Sequence, residues 1–69
     1  MEIVFAKRLK ELRKEKNLLQ SELAKALNTT QRKISYWESE KIEPDLASLW
    51  KLSDYFEVSI DYLIGKNDY

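Results

Sequence analysis

Two adjacent residues of this chain are well equipped for specific polar contact: Gln31, whose amide offers donors and an acceptor in one plane, and Arg32, whose guanidinium is a rigid fork of donors. Lys33 follows them, and Tyr36 comes one helical turn after Arg32. Bond-making chemistry has less to work with. The chain has no cysteine and no histidine, which removes thiol nucleophiles, the commonest zinc ligands and the side chain best suited to proton transfer near neutral pH. Its carboxylates occur singly on polar faces, with no glycine-rich phosphate loop beside them, so no enzymatic activity, metal, cofactor or small-molecule substrate is expected.

The elements that position these residues must be built from 69 residues, enough for a single domain spanning 1–69 with a modest core. One glycine (Gly65) and one proline (Pro44) punctuate the chain, so most of it can be helical. Five helices are expected. The first runs roughly from Ile3 to Lys16, with Phe5, Leu9 and Leu12 at the spacing of a buried stripe, and ends at Asn17. The second, Gln20 to Leu27, gathers Leu23, Ala24 and Leu27 on one side and ends at Asn28, a residue that tolerates the left-handed conformation. Thr30 is suited to cap a third helix from Gln31 to about Ser39, with Ile34 and Trp37 inward. Asp45 caps a fourth, Leu46 to about Phe56, whose stripe is Leu49, Leu52 and Phe56. Ser59 caps a last short helix that stops at Gly65. Lys66 to Tyr69 are expected to fray.

Net charge is zero, but it is unevenly spread: Met1 to Lys41 hold ten lysines and arginines against six acids, and Ile42 to Tyr69 hold two against six. Such asymmetry suits one face that meets an anion and another that meets water or protein. The longest apolar runs, Ile3–Phe5 (extended by Ala6) and Tyr62–Ile64, are too short to span a bilayer, and a cytoplasmic protein without membrane contact is expected. Trp50 and Tyr55 fall off the main stripe of the fourth helix and, with Ile60, Ile64 and Tyr69, make a candidate subunit contact beside the acidic C-terminal half.

Two short helices joined by the tight turn Asn28-Thr29-Thr30 have the layout of a helix-turn-helix unit. The ordered set Gln20-Ser21-Glu22-Leu23-Ala24, Thr29-Thr30-Gln31, Ile34-Ser35-Tyr36-Trp37-Glu38, Pro44 and Phe56 to Gly65 resembles the Cro/CI-type family of phage and bacterial repressors over about Phe5 to Gly65. The resemblance implies an all-α, lambda-repressor-like bundle of five short helices and sequence-specific binding of double-stranded DNA as a transcriptional regulator, with the helix from Gln31 in the major groove. It places Gln31, Arg32 and Tyr36 at the bases. The amide of Gln31 suits adenine, the fork of Arg32 suits guanine, and Tyr36 is in reach of a thymine methyl or a sugar.

By the same resemblance Gln20 is a phosphate clamp, and Arg13 and Glu38 form a structural ion pair between the first and third helices; Lys33, Ser39, Lys41 and Lys10 are further phosphate candidates from their chemistry and place beside the third helix. It further implies a homodimer on a palindromic operator. Leu19 stands where the family usually has a Thr or Ser cap, and Asn28 replaces a common glycine. The alternative is a protein-interaction module, antitoxin- or anti-repressor-like, that uses the apolar C-terminal face.

Overall fold

Three helix starts in this chain are written by side-chain acceptors. The Thr30 hydroxyl accepts from the amide of Lys33 at 3.2 Å, the Asp45 carboxylate from the amide of Ser48 at 2.9 Å, and the Ser59 hydroxyl from the amide of Tyr62 at 2.9 Å. Each partners a first-turn donor that the helix leaves free. The computed structural model describes residues 3–68, and the helices there are α1 (Phe5–Glu15), α2 (Gln20–Ala26), α3 (Gln31–Glu38), α4 (Leu46–Phe56) and α5 (Ile60–Ile64), with no strand among the described residues. Leu19 has no acceptor to cap α2. The Glu22 side chain reaches back instead and accepts from the Leu19 amide at 2.7 Å, half of a capping box.

The helix ends share one device. A left-handed residue follows the last turn at Asn17, Asn28, Glu40, Glu57 and Gly65, with φ from 55° to 99°. The next amide then bonds back five residues: Leu18 to Arg13, Thr29 to Ala24, Lys41 to Tyr36, Val58 to Ser53 and Lys66 to Asp61, at 2.8 to 3.1 Å. This Schellman geometry partners carbonyls that would otherwise be orphaned. It also closes α1, α2 and α3 a residue earlier than their apolar periodicity suggests. Glu40 and Glu57 carry a Cβ into a conformation that costs such residues roughly 1 kcal/mol.

Phe5, Leu9 and Leu12 of α1, Leu23, Ala24 and Leu27 around α2, Ile34 and Trp37 of α3, Leu52 and Phe56 of α4, and Leu63 of α5 form one buried core. Removing each large side chain from water contributes about 1.5–3 kcal/mol. Phe5 and Trp37 meet edge to face with centroids 6.2 Å apart, which locks α1 against α3. Leu49, expected in the buried stripe, is only half-buried and packs at the core's edge.

The chain after α5 departs from the expected frayed end. Arg8 of α1 donates to the carbonyl of Tyr62 at 2.6 Å and to that of Asn67, lies 3.4 Å from the Asp68 carboxylate, and stacks 4.3 Å above the Tyr62 ring. Asn67 and Asp68 are therefore tied to α1, and Lys66 to α5 through the Asp61 carbonyl. Tyr69 lies outside the described residues.

Candidate nucleic-acid interface

The left-handed Asn28 turns the chain out of α2, and Ala24, 3% exposed, lets α3 approach closely. Ile34 is wholly buried and Trp37 nearly so, which fixes the inner face of α3. At 3.6 residues per turn, Arg32 and Tyr36 each lie about 160° around the axis from Ile34 and form the outward face. Gln31 sits on the flank shared with Glu38, and Lys33 on the opposite flank. Gln31, Arg32 and Lys33 are exposed, whereas Tyr36 is half-buried. The Lys41 ammonium lies 5.5 Å from the centroid of the Tyr36 ring, so this phosphate candidate and this base-reading candidate meet.

Orientation of α3 is held from beneath by a charged network. Arg13 of α1 donates through Nε to Glu38 Oε2 at 2.6 Å and through Nη2 to Oε1 at 3.0 Å, and a third donor, Nη1, reaches the Leu18 carbonyl at 2.7 Å. The Arg13 and Glu38 side chains are 12% and 3% exposed. Hydrogen bonding to Glu38 raises the Arg13 pKa, outweighing the opposing effect of burial. The expected ion pair is thus present, as a bidentate fork.

Gln20 extends the network. Its side-chain amide donates to Glu38 Oε1 at 3.2 Å, so the residue expected as a phosphate clamp is also a strut between α2 and α3. That contact was not foreseen.

The other phosphate candidates separate onto two sides of α3. Gln20, Lys10 and Ser39 line one open recess together with Lys14 and Ser35. There the Ser39 hydroxyl donates to the Ser35 carbonyl at 2.8 Å, which commits its proton within the helix end. Lys33 lines a different recess, with Asn28, Thr29, Asp45, Ser48 and Lys51.

The subunit-contact candidates do not form one patch. Trp50 is 69% exposed and shares a face of α4 with Leu46, 84% exposed. Leu49 and Ile64 belong to the wall of an open recess of about 370 Å³ that also includes Ile3, Ile42 and Pro44. Ile60 is exposed on α5. Tyr55 is about 140° around α4 from Trp50. It stacks edge-on against Phe56 at 5.0 Å and lies 5.6 Å beneath the Lys16 ammonium. Sequence reasoning missed Leu46, which the stripe places off the core, and Arg8, for which no local signal exists. Tyr69 is outside the described residues.

Among the described residues no helix is long and apolar enough to cross a membrane, and no three acidic side chains are placed to hold a metal ion.

Comparison with known proteins places this geometry in context. Residues 9–63 match the helix-turn-helix family model. The HTH-type transcriptional regulator ImmR of Bacillus subtilis (strain 168) is 42% identical over 64 residues, which cover 93% of this chain and 50% of ImmR. The HTH-type transcriptional activator BcrR of Enterococcus faecalis is 43% identical over 61 residues, 88% of this chain and 30% of BcrR. The chain thus spans half the length of the first relative and less of the second. Among solved structures, the P22 c2 repressor in complex with a synthetic operator superposes with a TM-score of 0.85 at 30% identity, covering 91% of this chain and 96% of that one.

Proposed function

The chain belongs to the helix-turn-helix family of Cro/CI type, and from that premise we propose that it binds double-stranded DNA in a sequence-specific manner and regulates transcription, with no catalytic step. The observation that carries this reading is the outward pair Arg32 and Tyr36, presented with Gln31 at the start of a helix whose other face is buried and whose Glu38 is anchored to α1. A helix held in this way offers its side chains to base edges without its backbone having first to be ordered. Arg32 reads guanine, Gln31 reads adenine, and Tyr36 contacts a thymine methyl or a sugar. Phosphates are gripped on both sides of α3: by Gln20 and Lys10 in one recess, by Lys33 on the opposite flank, and by Lys41 at the helix end, while Ser39, whose hydroxyl and amide both donate to the Ser35 carbonyl, takes no part.

The active form is a homodimer, for which the exposed Leu46 and Trp50 of α4 are the apolar surface on offer. Its operator is palindromic, with half-sites about 34 Å apart. P22 c2 is a repressor and BcrR an activator. Repression is proposed here because a dimer seated on promoter DNA excludes polymerase by its bulk alone. The site of action is the cytoplasm of a bacterial cell. The test is selection of bound duplexes from a random pool, which is expected to enrich a palindrome of that spacing; failure to enrich any motif at low salt would overturn the specific-regulator reading.

The exposure of Leu46 and Trp50 favours a second reading, in which that face binds a partner protein and the chain has no use for DNA. A salt-dependent shift with random duplex DNA separates the two.

A further inference from the structure

We propose that bound DNA extends past the recognition site along a ridge of three α1 lysines, so that Lys7 and Lys14, which the reading above leaves without a role, hold flanking backbone phosphates together with Lys10. This inference rests on the proposed DNA binding and adds a surface to it.

The charges of α1 are sorted around its axis. Lys7, Lys10 and Lys14 fall within about 60° of one another, opposite the buried Phe5, Leu9 and Leu12 and toward the side from which Arg13 reaches Glu38. Glu11 lies about 40° from Lys7 and lines a recess with all three lysines, and Glu15 falls further round toward Arg8. All three lysines are exposed, and the ion pairs among the described residues, Arg8 with Asp68 and Arg13 with Glu38, involve none of them. Three ammonium groups on one ridge outnumber the one α1 carboxylate beside them, Glu11, and a polyanion relieves the repulsion that remains.

The ridge is continuous with the reading helix. Lys10 and Lys14 line the recess that holds Gln20, Ser35 and Ser39, and the same two lysines line a second recess that continues to Lys7 and Val4. Glu38, which borders both, is already bonded to Arg13 and Gln20, and Glu11 and Glu40 are the other carboxylates lining the second. Lys7 to Lys14 span about 10 Å of helix, the axial rise of about four consecutive phosphates on one strand. A duplex backbone, which offers an unbroken row of phosphates over that length, suits the ridge better than an acidic peptide.

The experiment is a titration of the full chain against a long random-sequence duplex between about 50 and 200 mM salt, with the slope of log K against log salt as the readout. Lys7→Gln combined with Lys14→Gln is expected to make the slope shallower by roughly 1.8, or 0.9 per lost contact. Lys16→Gln combined with Lys66→Gln removes the same charge from elsewhere and is expected to leave the slope nearly unchanged. An unchanged slope in the ridge variant, or an equal change in both variants, overturns the ridge while leaving DNA binding intact. Absence of any binding by the unmodified chain at the lowest salt overturns the DNA reading itself, and the ridge with it.

Discussion

Arg13 and Glu38 lie 25 residues apart in the chain and meet as a two-pronged fork, at 2.6 and 3.0 Å, beneath the helix proposed to read DNA. Because Glu38 also accepts from Gln20, one nearly buried carboxylate ties α1, α2 and α3 together. The reading helix is oriented by charge as well as by its apolar face.

A buried ion pair of this kind resists the removal of one partner far more than the removal of both. Glu38→Leu alone strands the Arg13 guanidinium and is expected to cost on the order of 3 kcal/mol in urea unfolding. Adding Arg13→Met should recover much of that loss. If the double variant is as unstable as the single one, the pair contributes net stability and the desolvation argument is wrong.

Glu57 is left-handed at φ 55° and exposed, and its backbone amide already makes the turn that closes α4. Glu57→Gly keeps that bond and removes the Cβ crowding, so a gain of about 0.5–1 kcal/mol is expected, net of the greater chain entropy of glycine. In a domain of this size that appears as a rise of several degrees in Tm. A fall in Tm would show that the left-handed turn is not strained.

Asp45 caps α4, and its hydrogen bonds to Ser48 hold its carboxyl below the ordinary value of 3.8. Folding therefore favours the carboxylate: the contribution is complete above pH 3.8 and is lost as pH falls through the lower value of the folded state. Asp45→Asn retains a capping oxygen but has nothing to titrate there, so its Tm should vary less with pH in that acidic window. Parallel Tm curves for the two proteins would contradict this assignment.

The start of each helix from α3 onward was legible in the sequence because Thr30, Asp45 and Ser59 are local signals, each acting on an amide three residues ahead. The ends at Asn28 and Gly65 were legible for the same reason. Glu40 and Glu57 were not, since nothing about glutamate marks a left-handed position and only the packing that follows imposes it. In the candidate site, the exposure of Arg32 follows from the inward spacing of Ile34 and Trp37, whereas Gln31 shares the flank of the nearly buried Glu38 and is exposed because it opens the helix. The Arg13–Glu38 pair was suggested by family resemblance and not by spacing. The Gln20 bond to Glu38 and the Arg8 clamp on Tyr62, 54 residues away, depend on how helices cross, which periodicity does not encode. Grouping Tyr55 with Trp50 was avoidable, because five residues of helix already place them on different faces.

The central claim is that Arg32 reads a base, and its most direct test compares Arg32→Ala with the unmodified chain on its selected operator and on random duplex at one salt concentration. The variant should lose roughly 1–3 kcal/mol of preference for the operator while binding random DNA with a much smaller change, whereas Lys41→Ala should weaken both about equally. Equal loss on the two DNAs for Arg32→Ala would contradict the account.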